Sequence, residues 1–267
     1  MKYKLIVSDL DDTLLHDDQS ISERTRQAIA LAQAKGIRFM IATGRMFPSA
    51  LPFAKELGLT GPIICCQGAQ IADLETGCSL QEAAVPLEAA REVLRFLDGE
   101  GLYAQFYSTE DYFFEHECEE SALYHRLSGV KGRALGRKPA DALGFEPIKV
   151  LSIADPQVIR QTYEKAAERF GGSLTVTISR SNYLEFSHPE AHKGAAVAAV
   201  AAQLGLKAHE VMACGDAMND LSMLRWAGLG VAVANSNEEV KARAGAVTAS
   251  NEDDGVALAI EQYALTE

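Results

Sequence analysis

Residues 5 to 66 alternate strand and helix signals, and that alternation limits the fold more than any other feature of the chain. Leu5-Ile6-Val7, Ile37 to Ala42 and Pro62 to Cys66 are short apolar runs. Between the first two, Ser20-Ile21-Ser22-Glu23 offers a helix start. Ile21, Thr25, Ala28, Ile29 and Ala32 then recur at helical spacing until Gly36 ends the run. Pro48 to Leu57 reads as a second helix, ended by Gly58. Strand, helix, strand, helix, strand predicts a parallel sheet with right-handed crossovers. Strands apolar at every position suit a sheet covered on both faces. The first run ends on Asp9-Leu10-Asp11-Asp12, three carboxylates in four positions. Open α/β sheets bind ligands beyond the carboxyl ends of their strands, where these acids would sit. Carboxylates that close repel one another unless a cation compensates or one keeps a proton. They are the first candidate for an active site.

The texture changes near Pro86. Leu87 to Leu97 is helical, and Tyr103 to Ser108 and Tyr112 to Glu115 read as aromatic-rich strands around a Glu110-Asp111 turn. A helix over Glu119 to Leu127 leads into a Gly-rich basic loop. A strand (Lys149 to Ala154), a helix (Gln157 to Phe170) and two strands (Leu174 to Ile178, Tyr183 to Phe186) follow. Helix, strand, strand, stated twice, predicts a separate α+β module with an antiparallel sheet. From Lys193 the first texture returns: helix Lys193 to Leu204, strand Val211 to Cys214, helix Asn219 to Trp226, strand Leu229 to Val233, helix Glu238 to Ala244, short strand Ala246 to Thr248 and helix Val256 to Tyr263. The expected fold class is α/β: a doubly wound, mostly parallel, Rossmann-like core made from both ends of the chain, with an inserted α+β cap. The expected division is 1–84 with 188–267 as core and 85–187 as cap.

Net charge excludes some functions. The 267 residues carry 25 Lys and Arg against 37 Asp and Glu, a formal −12, which opposes broad attraction to nucleic acid or an anionic membrane. No apolar run approaches membrane-spanning length, and Met1-Lys2-Tyr3-Lys4 leads into the first strand without a signal-peptide stretch. The five cysteines (Cys65, Cys66, Cys78, Cys118, Cys214) are odd in number and lack zinc-like spacing. Free thiols and a cytoplasmic, soluble protein are the expectation; the sequence sets no oligomeric state.

Polar residues collect where the predicted strands end: Asp9 and Asp11, Thr43, and Asp216 with Asn219 and Asp220, joined by Lys193 at a helix start. Asp9, Asp216 and Asp220 are hard oxygen donors, better suited to Mg²⁺ than to zinc. A hydroxyl and a lysine suit phosphate oxygens. Together they describe phosphoryl transfer, in which positioning and charge neutralisation do most of the catalysis. Simpler readings compete. A calcium loop is opposed by Thr13 and Leu14, which stand where an oxygen ligand and a glycine are wanted. Gly215-Asp216 alone would be an ordinary capped turn, and in Gly228-x-Gly230 the third glycine of a dinucleotide loop is replaced by Val233.

The segments Asp9-Leu10-Asp11-Asp12-Thr13-Leu14, Thr43-Gly44-Arg45, Lys193-Gly194 and Gly215-Asp216-Ala217-Met218-Asn219-Asp220 resemble, in order and spacing, the four motifs of haloacid dehalogenase-like phosphatases. The match is to the Cof-type branch, which carries a large α/β cap between its second and third motifs. Gly230 to Asn235 and Asn251 to Ala257 also resemble that branch. The resemblance implies that Asp9 attacks phosphorus to form an aspartyl phosphate, while Asp11 protonates the leaving oxygen and then activates water. It implies Mg²⁺ held by Asp9, Asp216 and the backbone carbonyl of Asp11. It further implies a phosphoryl group held by the Leu10 amide, Thr43, Gly44, Lys193 and Asn219, with Asp220 holding Lys193 or a water from behind. The implied partner is a small phosphorylated metabolite, sugar phosphates foremost, with a cap that closes over the site and chooses the substrate. A sugar phosphomutase, or a phospho-acceptor or metabolite sensor that does not hydrolyse, is the alternative.

Two positions depart from the branch: Gln67-Gly68-Ala69 stands where Asn-Gly-Ala is usual, and His192 rather than Ser precedes Lys193. His192 is expected to face solvent. The cap aromatics are expected to be mainly sheet core, and Arg126, Lys131, Arg133, Arg137 and Lys138 a solvated loop. Asp12 is expected to cap or hydrogen-bond the turn after the first strand.

Overall fold

A computed structural model describes residues 2–266. In chain order its strands are β1 Leu5–Ser8, β2 Arg38–Ile41, β3 Pro62–Cys65, β4 Gln70–Asp73, β5 Ser79–Glu82, β6 Ala104–Tyr107, β7 Tyr112–Phe114, β8 Arg133–Ala134, β9 Val150–Ile153, β10 Thr175–Arg180, β11 Tyr183–Ser187, β12 Val211–Gly215, β13 Leu229–Ala232 and β14 Ala246–Val247. Its α-helices are α1 Glu23–Ala34, α2 Phe47–Glu56, α3 Leu87–Gly99, α4 Glu119–Ser128, α5 Pro139–Ala142, α6 Pro156–Phe170, α7 Lys193–Gln203, α8 Leu221–Trp226, α9 Glu238–Arg243 and α10 Gly255–Ala259. The chain divides into two compact units: residues 1–44, 50–80 and 192–267 form one, and 45–49 with 81–191 the other.

The first unit is built on a five-stranded parallel sheet in the order β14-β13-β12-β1-β2. Leu5 and Val7 of β1 join Val211 and Ala213 of β12 in a core shared with α7 and α8. Ile6 and Ser8 alternate to the opposite face and are equally buried. The apolar run at β1 is continuous because both of its faces are covered. Ser22 caps α1 by accepting the Thr25 N–H, and the chain turns after it through Gly36 at φ 82°. From β1 the chain crosses to β2 on one side and later returns to β12 on the other, a switch in winding direction of the kind beside which open α/β sheets bind ligands.

One strand differs from expectation. The alternating pattern predicts β3 as a continuation of the parallel sheet; it packs beside β2, but among the described residues its strand pairing with that sheet is a single parallel bridge, Ala42 with Ile64. Its main pairing is antiparallel, Pro62 to Cys65 against Asp73 to Gln70, in a three-stranded sheet with β4 and β5. An apolar run such as Pro-Ile-Ile-Cys fits either direction of partner, and β4, which follows it closely in sequence, supplies the nearer one.

The second unit carries a six-stranded sheet, order β10-β11-β9-β6-β7-β8. It is antiparallel except at the edge, where the two-residue β8 pairs parallel with β7. Leu94, Leu97, Phe106, Val150, Ile159 and Phe186 form its helix-covered core. Tyr107 and Tyr112 are fully buried on the other face, where Tyr124 of α4 meets both rings edge-on. The basic loop is exposed, and two of its five basic residues form ion pairs: Arg133 with Asp111, and Lys138 with Asp98 and Glu115. Among the described residues no helix is long and apolar enough to cross a membrane.

Candidate active site

β1 and β12 are parallel neighbours with Ser8 opposite Cys214, so Asp9 and Asp216 leave the sheet side by side. The Asp9 N–H still donates to the Cys214 carbonyl at 3.0 Å, which fixes where its side chain begins. Lys193 enters from the first turn of α7. Its Nζ lies 2.7 Å from Asp9 Oδ1 and 2.6 Å from Asp220 Oδ1. Lys193 and Asp220 are 0% exposed and Asp9 only 6%, so solvent does little to compensate these three charges.

Asp220 is fully engaged. Oδ1 takes Lys193, and Oδ2 accepts the N–H groups of Asp216 and Ala217, each at 3.0 Å. That carboxylate closes the turn after β12, and Gly215 makes room for it: a Cβ there would lie 2.6 Å from the Asp220 Cβ. Asp216 is held by the Thr13 hydroxyl, which donates to its Oδ1 at 2.7 Å. Asp9 Oδ1 also accepts the Leu10 N–H at 2.7 Å. The Leu10 carbonyl in turn accepts from Leu14 and Leu15, coiling the segment that contains the half-buried Asp11.

The charges do not balance. Asp9, Asp216 and Asp220 each place an oxygen within 4.8 Å of the others, against one ammonium. Burial first, and then Asp220, pushes Asp9 well above the ordinary carboxylate range in spite of Lys193. Burial and Asp220 push Asp216 up to about 7, with Thr13 pulling the other way. Burial alone would lower the Lys193 ammonium, but Asp220 and Asp9 outweigh it and hold its pKa above the usual value. A cluster of oxygen donors with surplus negative charge, and no thiolate or imidazole among them, fits a hard divalent cation. It is the one such acidic cluster among the described residues.

Thr43 and Gly44 leave the sheet at β2, one strand over from Asp9; Thr43 is fully buried and its N–H donates to the Ile64 carbonyl at 2.9 Å. Asn219 is exposed, and its Nδ2 donates to Gln67 Oε1 at 2.9 Å. The site residues expected from the sequence thus fall into two groups: Asp9, Leu10, Lys193, Asp216 and Asp220 in one hydrogen-bonded cluster, and Thr43 and Gly44 beside it, linked to Asn219 through Gln67; Asp11 lies half-buried on the turn just after Leu10. His192 faces solvent, where its Nδ1 accepts the Ala195 N–H at 3.1 Å and caps α7. Asp12 adopts a left-handed φ of 55°, and its carbonyl accepts from Asn235 Nδ2 at 2.7 Å.

Several supporting residues are not evident from sequence alone. Ser222 Oγ accepts the Gly194 N–H at 3.0 Å and fixes the start of α7. Asn251 Nδ2 donates to the Leu15 carbonyl at 3.0 Å, and its N–H to Asn235 Oδ1 at 3.1 Å. Thr13 and both asparagines lie inside the motif segments, so position within a motif is their available signal; Ser222 carries none.

A carboxylate cluster of this kind, at the switch point of a doubly wound sheet with an inserted α+β unit, has the donor set that phosphoryl-transfer chemistry uses. The profile of the haloacid dehalogenase-like hydrolases matches residues 6–260, and the chain belongs to that family. A putative phosphatase of Haemophilus influenzae is 32% identical over 98% of both chains. A 5-amino-6-(5-phospho-D-ribitylamino)uracil phosphatase of Bacillus subtilis is 31% identical over 98% of this chain and 96% of its own. A haloacid dehalogenase-like hydrolase from Bacteroides thetaiotaomicron superposes with a TM-score of 0.89 at 30% identity, over 98% of this chain and 99% of its own. The protein is an enzyme of the phosphatase class.

Proposed function

We propose that this enzyme is a Mg²⁺-dependent phosphatase of small phosphorylated metabolites, with sugar phosphates the leading class, working through an aspartyl phosphate on Asp9. The observation that carries the reading is the buried Lys193 bridging Asp9 and Asp220, with Asp216 alongside in surplus charge. Asp9 and Asp216, with the Asp11 carbonyl, would hold the ion; when bound, it supplies positive charge against the phosphoryl oxygens.

The chain's own residues do the rest. Lys193 and the Leu10 amide orient the Asp9 carboxylate through Oδ1. Asp9 attacks phosphorus in line, forming its O–P bond as the bond to the alcohol oxygen breaks, and Asp11 gives that oxygen its proton. Asp11, now a base, takes a proton from water. The water oxygen attacks the phosphorus, inorganic phosphate leaves and the Asp9 carboxylate is restored. The Leu10 amide, Thr43, Gly44, Lys193 and Asn219 hold the phosphoryl oxygens, and Asp220 keeps Lys193 charged and aimed. In this reading residues 1–84 and 188–267 carry the chemistry and the inserted cap, 85–187, chooses the substrate. The Bacillus subtilis relative, named for a substrate whose phosphate sits on a ribityl chain, supports a polyol-like leaving group. The formal charge of −12 supports small substrates over nucleic acid.

Phosphate release from a panel of sugar phosphates, nucleotides and cofactor phosphates, with Mg²⁺ and with EDTA, tests the proposal. Release that depends on Mg²⁺ and favours sugar phosphates is expected. Isomerised sugar without free phosphate, or a long-lived phospho-Asp9 without turnover, overturns it.

A further inference from the structure

The turn after β3 adopts a conformation that its side chains disfavour. Cys66 (φ 50°) and Gln67 (φ 61°) are consecutive non-glycine residues in the left-handed region. Glycine occupies that region freely, and asparagine is among the few side chains that visit it readily. Glutamine has no such advantage, so its extra methylene calls for a reason. The geometry supplies one. Gln67 Oε1 reaches the Asn219 Nδ2 at 2.9 Å. Its Nε2 packs against Gly44, where a Cβ would lie only 2.5 Å away. The Gln67 N–H donates to the Thr43 carbonyl at 3.0 Å, and Gly68 presses on the backbone before Lys193, where a Cβ would lie 2.6 Å from the His192 carbonyl. One three-residue turn therefore touches the Thr43-Gly44 segment, the start of α7 and the Asn219 side chain.

We propose that Gln67 is a positioning residue for phosphoryl binding. It engages one N–H of the Asn219 amide and leaves the other for a phosphoryl oxygen, and it sets the spacing between Asn219 and Gly44. Asn219 is exposed and would otherwise sample several rotamers. Gln67 thus fixes affinity for the phosphoryl group, which every substrate and the product share, and leaves preference for the leaving group unchanged. The inference rests on the proposed role of Asn219 in holding phosphate.

The test compares wild type, Gln67→Ala, Gln67→Asn, Asn219→Ala and the Gln67→Ala/Asn219→Ala pair, with p-nitrophenyl phosphate as substrate and inorganic phosphate as inhibitor. Losing one hydrogen bond should raise KM and the phosphate inhibition constant together, by about fivefold, with kcat within about twofold. Gln67→Asn should melt no lower than wild type, because asparagine suits the left-handed backbone, yet it should still bind phosphate more weakly because it is too short to reach Asn219. A merely structural glutamine would not separate stability from phosphate affinity in this way. The double variant should be no worse than Asn219→Ala alone, since the two act as one unit. Unchanged phosphate affinity in both Gln67 variants, or fully additive effects in the pair, overturns the inference while leaving the phosphatase reading intact. An Asn219→Ala enzyme with wild-type constants instead removes the role of Asn219, and a wild type that releases no phosphate removes the reading itself.

Discussion

Each unit of the molecule buries one lysine against carboxylate, and the two clusters differ in balance. In the six-stranded sheet, Lys149 (4% exposed) pairs with Glu185 (8% exposed) at 3.1 Å. The second Glu185 oxygen accepts the Ser179 hydroxyl, and the Lys149 ammonium sits 4.9 Å from the centre of the Tyr107 ring. One cation faces one anion, and packing and hydrogen bonds complete the set. In the parallel sheet, Lys193 faces Asp9 and Asp220 with Asp216 close by, so negative charge is left over. A balanced buried pair leaves no net charge to neutralise, and removing one partner leaves the other buried and uncompensated. Surplus charge held at a strand end asks for something the chain does not contain. Burial alone therefore does not single out a candidate site; surplus charge does.

The sharpest way to break the contrast is to remove one member of each cluster. Asp9→Asn should cut turnover of p-nitrophenyl phosphate by at least about a thousandfold, because it removes the nucleophile, while circular dichroism stays native. Activity above a few per cent of wild type would sink the assignment. Lys149→Met should do the reverse. It should leave Glu185 buried and unpaired and lower stability by about 3–5 kcal/mol in urea unfolding. The paired change Lys149→Met/Glu185→Leu should recover most of that deficit. If the pair stays as unstable as the single variant, Lys149 acts through something other than its charge balance.

The first unit is the more legible of the two. The 3.6-residue and all-apolar periods in residues 5–57 are local, and local pattern sets β1, α1 and β2 within a residue or two of where they lie. Asp9, Asp216 and Asp220 stand at or just after predicted strand ends, whereas Lys193 is singled out by the spacing of the family motifs. The partner of β3 is not legible, since strand direction depends on a non-local choice between β2 and β4. Nor is β8, whose two exposed residues are a strand only because β7 offers an edge. The helix expected over Asn219 to Trp226 is a 3₁₀ turn at Met218–Asp220 followed by α8, because the Asp220 carboxylate ties down the N–H groups of Asp216 and Ala217. Likewise the closing helix runs as α10 and then as a π-turn over Ile260–Ala264. Nothing in the order of residues announces that a side chain will reach back across a turn.

Acid–base behaviour sharpens the comparison further. Asp216 is pushed up to about 7 by burial and Asp220, against an unfolded value of about 3.9. Between those values the folded state binds the extra proton, so stability from this group is present at low pH and disappears as pH rises through about 7. Without metal, wild type and Asp216→Asn should melt together near pH 4.5, since protonated Asp and Asn are alike and both accept the Thr13 hydroxyl. At pH 8.5 in EDTA the Asn variant should melt higher by several degrees. Added Mg²⁺ should raise wild type at pH 8.5 and leave the variant nearly unmoved. A melting difference independent of pH would show that Asp216 bears no surplus charge.

The smallest expected effect lies in the loop that follows the acidic strand. Asn251 is 5% exposed, and its Nδ2 donates to the Leu15 carbonyl while its N–H meets Asn235 Oδ1. Asn235 in turn donates to the Asp12 carbonyl. These bonds pin the backbone on either side of Thr13, which holds Asp216. Asn251→Ala removes the buried bond to Leu15 and a longer one to Asp17, and should cost about 1 kcal/mol in urea unfolding. Because the loop carries Asp11, the same change should lower kcat a few-fold with KM nearly constant, which marks a displaced acid–base group and not weakened substrate binding. Reduced stability with kcat unchanged would separate the loop from the chemistry, and place Asn251 with Lys149 among residues that only hold the fold.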